Sequence, residues 1–212
     1  MGKINQKKLI IIGAGSVGGF IAYNHEHLKE NYRLIGFLDD DPQKQGVNLF
    51  NYPVLGGLEK IVDYLDCVFI IGIAFPRVKE TICNKLEKYK LDFINYISPY
   101  AWISKEVTIG KGVIIYPGAC INYESEIGDF VTVNMNAVVG HNCRLKRYVT
   151  LAPNVSLAGH TLCKEGADLG IGSSTRQNVI IGSFTVLGGQ AMLLNNTDKN
   201  ELWLGVPARK KE

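Results

Sequence analysis

The second half of the chain carries an aliphatic residue at nearly every sixth position. From Ile103 to Leu193, sixteen positions follow this spacing, and fourteen of them are aliphatic. Four places after each of the first fifteen stands a residue that is small or β-branched. A period of six with two inward-facing positions is typical of hexapeptide repeats that wind into a parallel β-helix. The pattern therefore predicts an all-β, left-handed parallel β-helix over residues 99–212.

The first part of the chain has a different pattern, in which short apolar runs alternate with helix-like segments. The predicted strands are residues 8–13, 32–38, 67–73 and 93–97. The predicted helices are a segment that follows Gly18 and ends at about Leu28, residues 58–65 and residues 76–90. Alternating strands and helices are typical of an α/β unit with a parallel sheet. We therefore predict a Rossmann-like domain over residues 1–98, with a short sheet of about four or five strands.

Glycines follow the first predicted strand in the spacing GxGxxG, at Gly13, Gly15 and Gly18. Between a strand and a helix, such glycines allow a tight turn and leave helix N-terminal amides for a phosphate. Asp39 and Asp40 end the second predicted strand, where carboxylates can accept hydrogen bonds from ribose or sugar hydroxyls. These features predict nucleotide binding, and a glycine turn without a ligand is the alternative. NAD is disfavoured because the short sheet lacks a second unit for the other half of that cofactor.

Composition argues against several classes of partner. The net charge is only +3 and the basic residues are scattered, which predicts no nucleic-acid surface. No apolar run approaches the roughly 18 residues of a membrane span, and the first residues lack a signal-peptide core. The five cysteines lack CxxC spacing, and three of them occupy or flank inward repeat positions. We therefore predict a cytoplasmic protein with neither a membrane nor a nucleic-acid partner.

His141 is the candidate for chemistry within the repeat. Three hexads make one coil, so residues 18 apart stack about 4.8 Å apart, and Gly159 falls directly over His141. Imidazole suits proton removal near neutral pH, and the Gly159 amide is a candidate oxyanion donor. An ordinary surface histidine is the alternative. The repeat holds only one other histidine, His160, too few for a three-histidine site, so no metal is predicted.

Together these motifs resemble the sugar O/N-acyltransferases of the hexapeptide-repeat transferase superfamily. This family includes sialic acid O-acetyltransferases and the N-acetyltransferases of nucleotide-linked 4-amino-sugars of the bacillosamine and perosamine types. The resemblance extends from Lys8 to Arg209. The motifs that carry it are residues 13–18, 37–40, 53–57, 72, 98–99, 140–143, 151–153, 157–159 and 205–209.

The resemblance implies roles for individual residues. His141 matches the catalytic base, with Asn142 beside it, and Gly159 matches the glycine whose amide faces the thioester carbonyl. Asn142 stands where the family often has an acid. The positions that match acetyl-CoA contacts are Thr150, Gly159, Ile171 and Gly189, and Thr150 stands where a histidine often does. The positions that match the nucleotide-sugar site are Gly15, Ser16, Val17, Asp39, Asp40 and Gly72.

The implied activity is acetyl-CoA-dependent N-acetylation of a nucleotide-linked 4-amino-sugar, for bacterial surface-glycan biosynthesis. In this mechanism the sugar amine attacks the thioester directly, and His141 takes its proton. The resemblance also implies a homotrimer whose active sites lie between neighbouring β-helices. The alternatives are a sugar O-acetyltransferase, a catalytically silent nucleotide-sugar-binding homologue and an NAD-linked oxidoreductase.

Overall fold

The computed structural model describes residues 6–28 and 32–212. Its contacts divide the chain into two compact units, one containing residues up to 74 and residues 82–96, the other containing residues 75–81 and 97–212. The short segment 75–81 thus groups with the second unit, which the periodicity does not indicate. The domain boundary between residues 98 and 99 stays a prediction.

The first unit contains a four-stranded, fully parallel sheet, as predicted. Its strands lie in the order β2-β1-β5-β6. The strands up to this point of the chain are β1 Lys8–Ile12, β2 Arg33–Leu38, β3 Asn48–Leu49, β4 Tyr52–Pro53, β5 Val68–Ile71 and β6 Asp92–Phe93. The α-helices are α1 Ser16–Asn24 and α2 Pro76–Leu86, and the 3-10 helices are His25–His27, Leu58–Tyr64 and Glu87–Tyr89. The predicted helix 58–65 is therefore a 3-10 helix, and the hairpin β3–β4 was not predicted.

The predicted strand 93–97 is wrong as a single element. Its beginning lies in β6, which pairs with β5 in the first unit. Its end lies in β7, Tyr96–Ile97, the edge strand of an eight-stranded sheet in the β-helix. Both pieces are apolar and extended, so hydrophobic pattern alone does not separate them.

The second unit is a parallel β-helix, which confirms the predicted architecture. Its coils are built from two-residue strands that stack into sheets of eight, six and five strands. In chain order the repeat strands are β8 102–103, β9 108–109, β10 114–115, β11 120–121, β12 126–127, β13 132–133, β14 138–139, β15 144–145, β16 150–151, β17 156–157, β18 162–163, β19 168–169, β20 174–175, β21 180–181, β22 186–187 and β23 192–193. Two further strands, β24 Leu202–Leu204 and β25 Arg209–Lys210, end the eight-stranded sheet.

The core of the β-helix is formed by the two inward positions of each hexad. Val139 and Leu157, one coil apart, are paired in register and are 0% and 2% exposed. At the corners, every sixth residue from Glu106 to Gln190 has a positive φ, including Glu124 and Asn142. This left-handed conformation favours glycine and asparagine, so the corner chemistry is part of the repeat.

Lys79 is a buried lysine that packs segment 75–81 against the eight-stranded sheet. Its Nζ donates to Phe130 O at 2.8 Å, Thr150 Oγ1 at 3.0 Å and Thr132 Oγ1 at 3.3 Å. Burial raises the pKa of nearby Asp168, and the charge of Lys79 partly opposes that rise. Three oxygen acceptors offset the cost of burying the ammonium group. In the described residues, no helix has the length and apolar character needed to cross a membrane.

Candidate active site

His141 lies in the turn that follows β14, with its Nε2 directed at the coil above. A Cβ built on Gly159 would stand 2.6 Å from that nitrogen, which is closer than real carbons approach. This contact and the 18-residue strand register confirm the predicted stacking of Gly159 over His141. The missing side chain at Gly159 leaves the Nε2 lone pair accessible.

The other ring nitrogen of His141 is held by a chain of two hydrogen bonds. His141 Nδ1 lies 2.8 Å from Asn142 Oδ1, and Asn142 Nδ2 donates to Glu124 Oε2 at 2.6 Å. An ionised carboxylate only accepts hydrogen bonds, so the Asn142 amide must present its NH₂ to Glu124 and its oxygen to the ring. The proton between Asn142 Oδ1 and the imidazole is therefore on Nδ1. In the neutral imidazole this leaves Nε2 as the unprotonated atom, which is the tautomer that a general base at Nε2 requires.

Two aromatic side chains flank the imidazole. Tyr123 stacks beneath it, with ring centroids 5.4 Å apart and planes 13° apart, and His160 meets it edge-on at 5.0 Å. The tyrosine ring face favours a cationic imidazole, the form that follows proton uptake. Sequence reasoning missed Tyr123 and Glu124. Stepping back 18 residues from His141 and Asn142 would have found both.

The Gly159 amide is suitably placed for the predicted oxyanion role. Among the described residues it has no backbone hydrogen-bond acceptor, whereas the next amide, of His160, donates to His141 O at 3.0 Å. Beside these residues, a cavity of about 380 Å³ opens on the five-stranded sheet. It is lined by Asn142, Arg144, His160, Thr161, Leu162, Asn178 and Ile180. Within the described chain, no three His, Cys, Asp or Glu side chains converge in a way that would hold a metal ion.

The residues predicted to contact acetyl-CoA do not all lie beside His141. Ile171 and Gly189 follow strands of the eight-stranded sheet, whereas His141 and Gly159 follow strands of the six-stranded sheet. The two pairs therefore lie at different corners of the coil. Ile171 is 57% exposed, so this corner is accessible from solvent. A Cβ on Gly189 would lie 3.3 Å from Ile171 O, so the glycine packs tightly on the coil below.

Thr150 lies beneath Lys79. It is 5% exposed, and its hydroxyl accepts a hydrogen bond from Nζ. A contact between Thr150 and acetyl-CoA would require segment 75–81 to move away. Its predicted role stays a prediction that the geometry does not favour.

The cysteine thiols near the site are buried. Cys143 and Cys163 are both 0% exposed, and burial raises the pKa of each thiol. Cys143 Sγ donates to Ala158 O at 3.3 Å. A buried thiol with a raised pKa is a poor nucleophile, so these residues serve as small core side chains.

In the first unit, the glycine turn brings two chain segments very close together. A Cβ on Gly72 would stand 2.7 Å from Gly18 Cα, so neither position has room for a side chain. Gly15, by contrast, has nothing within 4 Å of its Cβ position. The exposed Ser16 and the half-buried Val17 follow it at the start of α1, whose first turn has no acidic residue. The helix N-terminus is thus open and suitable for an anion.

Asp39 fixes this turn from the neighbouring strand. Its carboxylate accepts hydrogen bonds from the amides of Ala14 at 2.8 Å and Asp41 at 2.9 Å, and from Lys44 Nζ at 3.0 Å. Burial by itself raises the pKa of Asp39, but these partners outweigh it and hold that pKa below its usual range. Asp40 accepts from Leu58 N at 2.7 Å. A sugar hydroxyl would share these carboxylates with existing donors.

Sequence comparison finds relatives of both units. Residues 8–86 match the PglD N-terminal domain family. A curated relative, the GDP-perosamine N-acetyltransferase of Escherichia coli O157:H7, is 28% identical over 174 residues. The match covers 80% of this chain and 78% of the relative.

Structure comparison extends the likeness to nearly the whole chain. PerB from Caulobacter crescentus, solved in complex with CoA and GDP-perosamine, superposes with a TM-score of 0.89 at 28% identity and covers 99% of this chain and 98% of its own. The acetyltransferase domain of PglB from Neisseria gonorrhoeae FA1090, in complex with acetyl coenzyme A, gives a TM-score of 0.88 at 25% identity. That match covers 98% of this chain and 100% of the domain.

Proposed function

The chain belongs to the hexapeptide-repeat family of nucleotide amino-sugar N-acetyltransferases, and on this premise we propose that it acetylates the amine of a nucleotide-linked 4-amino-sugar with acetyl-CoA. One observation carries the proposal. His141 has Nδ1 fixed by Asn142 and presents Nε2 beneath the open face of Gly159. A base and an unused backbone amide on adjacent coils are what transfer of an acetyl group from a thioester to an amine requires.

In the proposed mechanism the amine nitrogen attacks the thioester carbonyl while His141 Nε2 removes a proton from it. The Gly159 amide donates to the oxyanion that forms on the carbonyl oxygen. Collapse of this intermediate breaks the C–S bond and releases CoA, and the imidazolium returns its proton to the departing sulfur or to solvent. Tyr123 stabilises the imidazolium from below.

We further propose that the first unit binds the nucleotide. The support is the open N-terminus of α1, the unfilled space at Gly15 and the close packing of Gly18 on Gly72. Asp39 and Asp40 hold the loops that border this space, so their contribution to binding is partly indirect.

The product would enter bacterial surface-glycan biosynthesis. Five free cysteines favour a reducing compartment, and we propose the cytoplasm.

We also propose that the enzyme is a homotrimer with shared active sites. His141 lies at one corner of the coil and the Ile171–Gly189 pair at another. One side of the coil contains six residues, so neighbouring corners are up to about 20 Å apart along the surface. A second copy that places its Ile171–Gly189 corner against His141 brings the two halves of the site together.

Complementation between two inactive variants tests this arrangement. We expect His141→Ala to remove the base, and Gly189→Trp to block the acetyl-CoA corner. If sites are shared, co-expressed chains carrying one change each form some trimers with an intact site, and activity returns. As a control, we expect light scattering of the co-expressed chains to give the mass of a trimer. Activity that stays absent in mixed oligomers of the right mass contradicts shared sites.

Release of free thiol from acetyl-CoA tests the reaction itself. Purified protein is assayed with GDP-, UDP- and dTDP-linked 4-amino-sugars, and with the matching 4-hydroxy sugars. We expect thiol release with one amino-sugar acceptor and a mass gain of one acetyl group on its amine. His141→Ala should lose activity by about 10²–10⁴-fold while still binding the nucleotide. Absence of thiol release with every acceptor contradicts an acetyltransferase function.

A further inference from the structure

The hydrogen-bond chain behind His141 ends at a carboxylate that lies outside the sequence motif. Glu124 belongs to the coil below, 18 residues before Asn142, and both residues occupy left-handed corner positions. The stacking of corner on corner brings Glu124 Oε2 to 2.6 Å from Asn142 Nδ2. The backbone supports this placement, since Asn142 N donates to Tyr123 O at 3.0 Å.

Asparagine alone does not define the state of the imidazole. Its amide can present either oxygen or NH₂ to the ring, and the two orientations select opposite imidazole tautomers. With NH₂ facing Nδ1, the proton would move to Nε2, and Nε2 could no longer take a proton from the amine. A fixed acceptor on the far side of the amide removes this ambiguity, and Glu124 is that acceptor.

We propose that Glu124 is a positioning residue that sets the tautomer of His141 through Asn142. This inference rests on the proposed role of His141 as the base. Glu124 is exposed, so solvent screens its charge and the hydrogen-bond direction is its main contribution. The carboxylate of Glu124 thus lies one coil away from the histidine and acts on it through the amide of Asn142.

The first test reads the tautomer directly and needs no turnover. Nitrogen-15 NMR of imidazole-labelled protein distinguishes protonated from unprotonated ring nitrogens of His141. We expect Nδ1–H in the wild type and an appreciable fraction of Nε2–H in Glu124→Ala. The matched control is Glu126→Ala, since Glu126 is an exposed glutamate of the same coil that pairs with Arg144 and Lys146 instead. An unchanged tautomer in Glu124→Ala overturns the proposal.

The second test uses rescue. We expect kcat of Glu124→Ala to fall by about tenfold with little change in either KM, because only part of the His141 population would keep the tautomer with a free Nε2. Adding Asn142→Asp should restore most of the rate, because an ionised aspartate accepts from Nδ1 without outside help. A double variant as slow as Glu124→Ala contradicts the relay. If the wild type acetylates no acceptor, the proposed function fails, whereas the NMR result still decides the relay.

Discussion

Gly159 lies so close over His141 that a Cβ on the glycine would stand 2.6 Å from Nε2. The φ angle of Gly159 is outside the left-handed region, so its backbone tolerates alanine. The residue is glycine because of the space that the imidazole and its reaction partner need. The single methyl group added by Gly159→Ala therefore tests whether this space is needed for activity.

Gly159→Ala should abolish most of the activity without unfolding the protein. The methyl group would cover the Nε2 lone pair or push the ring off Asn142, and it would crowd the oxyanion position. We expect kcat/KM to fall by about 10²–10³-fold, as for loss of an oxyanion donor. Thiol release and circular dichroism measure the two effects. Ser156→Ala, at an exposed position on the same coil, is the control and should keep full activity. Normal turnover in Gly159→Ala would exclude the proposed geometry.

Asp39→Ala should weaken nucleotide binding by loosening the glycine turn. The variant loses acceptors for the Ala14 amide and for Lys44, so the turn is no longer fixed to β2. We expect the KM for the nucleotide-sugar to rise by about tenfold or more, with the KM for acetyl-CoA nearly unchanged. Steady-state kinetics with each substrate varied in turn measures both values.

Asp41→Ala is the control for Asp39→Ala. Among the described residues, the Asp41 side chain contacts only its own loop: it accepts a hydrogen bond from Gln43 N and pairs with Lys44 at 3.8 Å. A similar rise in KM for both variants would show that loop charge, and not the link to Ala14, determines binding.

Glu201 should stabilise the C-terminal end of the β-helix at neutral pH and cease to do so in acid. Hydrogen bonds from Lys210 and then Trp203 lower the pKa of Glu201 to about 2, from an ordinary value of 4.5. A depressed pKa means that the stabilisation is complete above pH 4.5 and is lost as the pH falls towards 2. Glu201→Gln should therefore lower the free energy of unfolding at pH 7, and the deficit should shrink below pH 4.5.

Urea unfolding at several pH values measures this effect. We expect a deficit of about 1 kcal/mol at pH 7, because solvent screens the exposed Lys210 partner. Glu106→Gln, an exposed position in the same unit, should change little. A pH-independent deficit in Glu201→Gln would mean that packing of the tail, and not the charge, is responsible.

Ser173→Ala should make the protein more stable. The Ser173 hydroxyl is buried, and among the described residues it has no hydrogen-bond partner. Removing it should raise the free energy of unfolding by about 1 kcal/mol. Thr161→Val is the matched contrast, because the buried Thr161 hydroxyl donates to Ala158 O at 2.7 Å. It should lower stability by a similar amount in thermal unfolding. The same sign for both variants would contradict this explanation.

The repeat could be predicted from sequence because each inward position recurs at a fixed spacing. The stacking of Gly159 on His141 followed from the pitch alone, since no insertion breaks the register between Ile103 and Leu193. Counting 18 residues from Asn142 towards the N-terminus reaches Glu124, so this contact also follows from the repeat spacing.

Other features depend on tertiary contacts that leave no periodic signal. The burial of Thr150 under Lys79 could not be predicted, because nothing in a helical pattern says which sheet a single lysine will cover. For Asp39, the sequence indicated a free carboxylate at a strand end. The structure shows that backbone amides and Lys44 already use it, a local arrangement that spacing does not encode.

Because the 18-residue repeat is unbroken, the contacts of the proposed active site depend on residue spacing along the β-helix. Its parts come from three consecutive coils, with Glu124 in the first, His141 in the second and Gly159 in the third. Duplication of one whole coil beyond Gly189 lengthens the β-helix and leaves the spacing among Glu124, His141, Gly159 and the Ile171–Gly189 corner unchanged. Insertion of one coil between Glu124 and His141 keeps the fold but breaks the hydrogen bond between Glu124 and Asn142, so Glu124 no longer acts on His141. At the end beyond Gly189, the β-helix can therefore gain length in 18-residue steps without a change in its proposed chemistry.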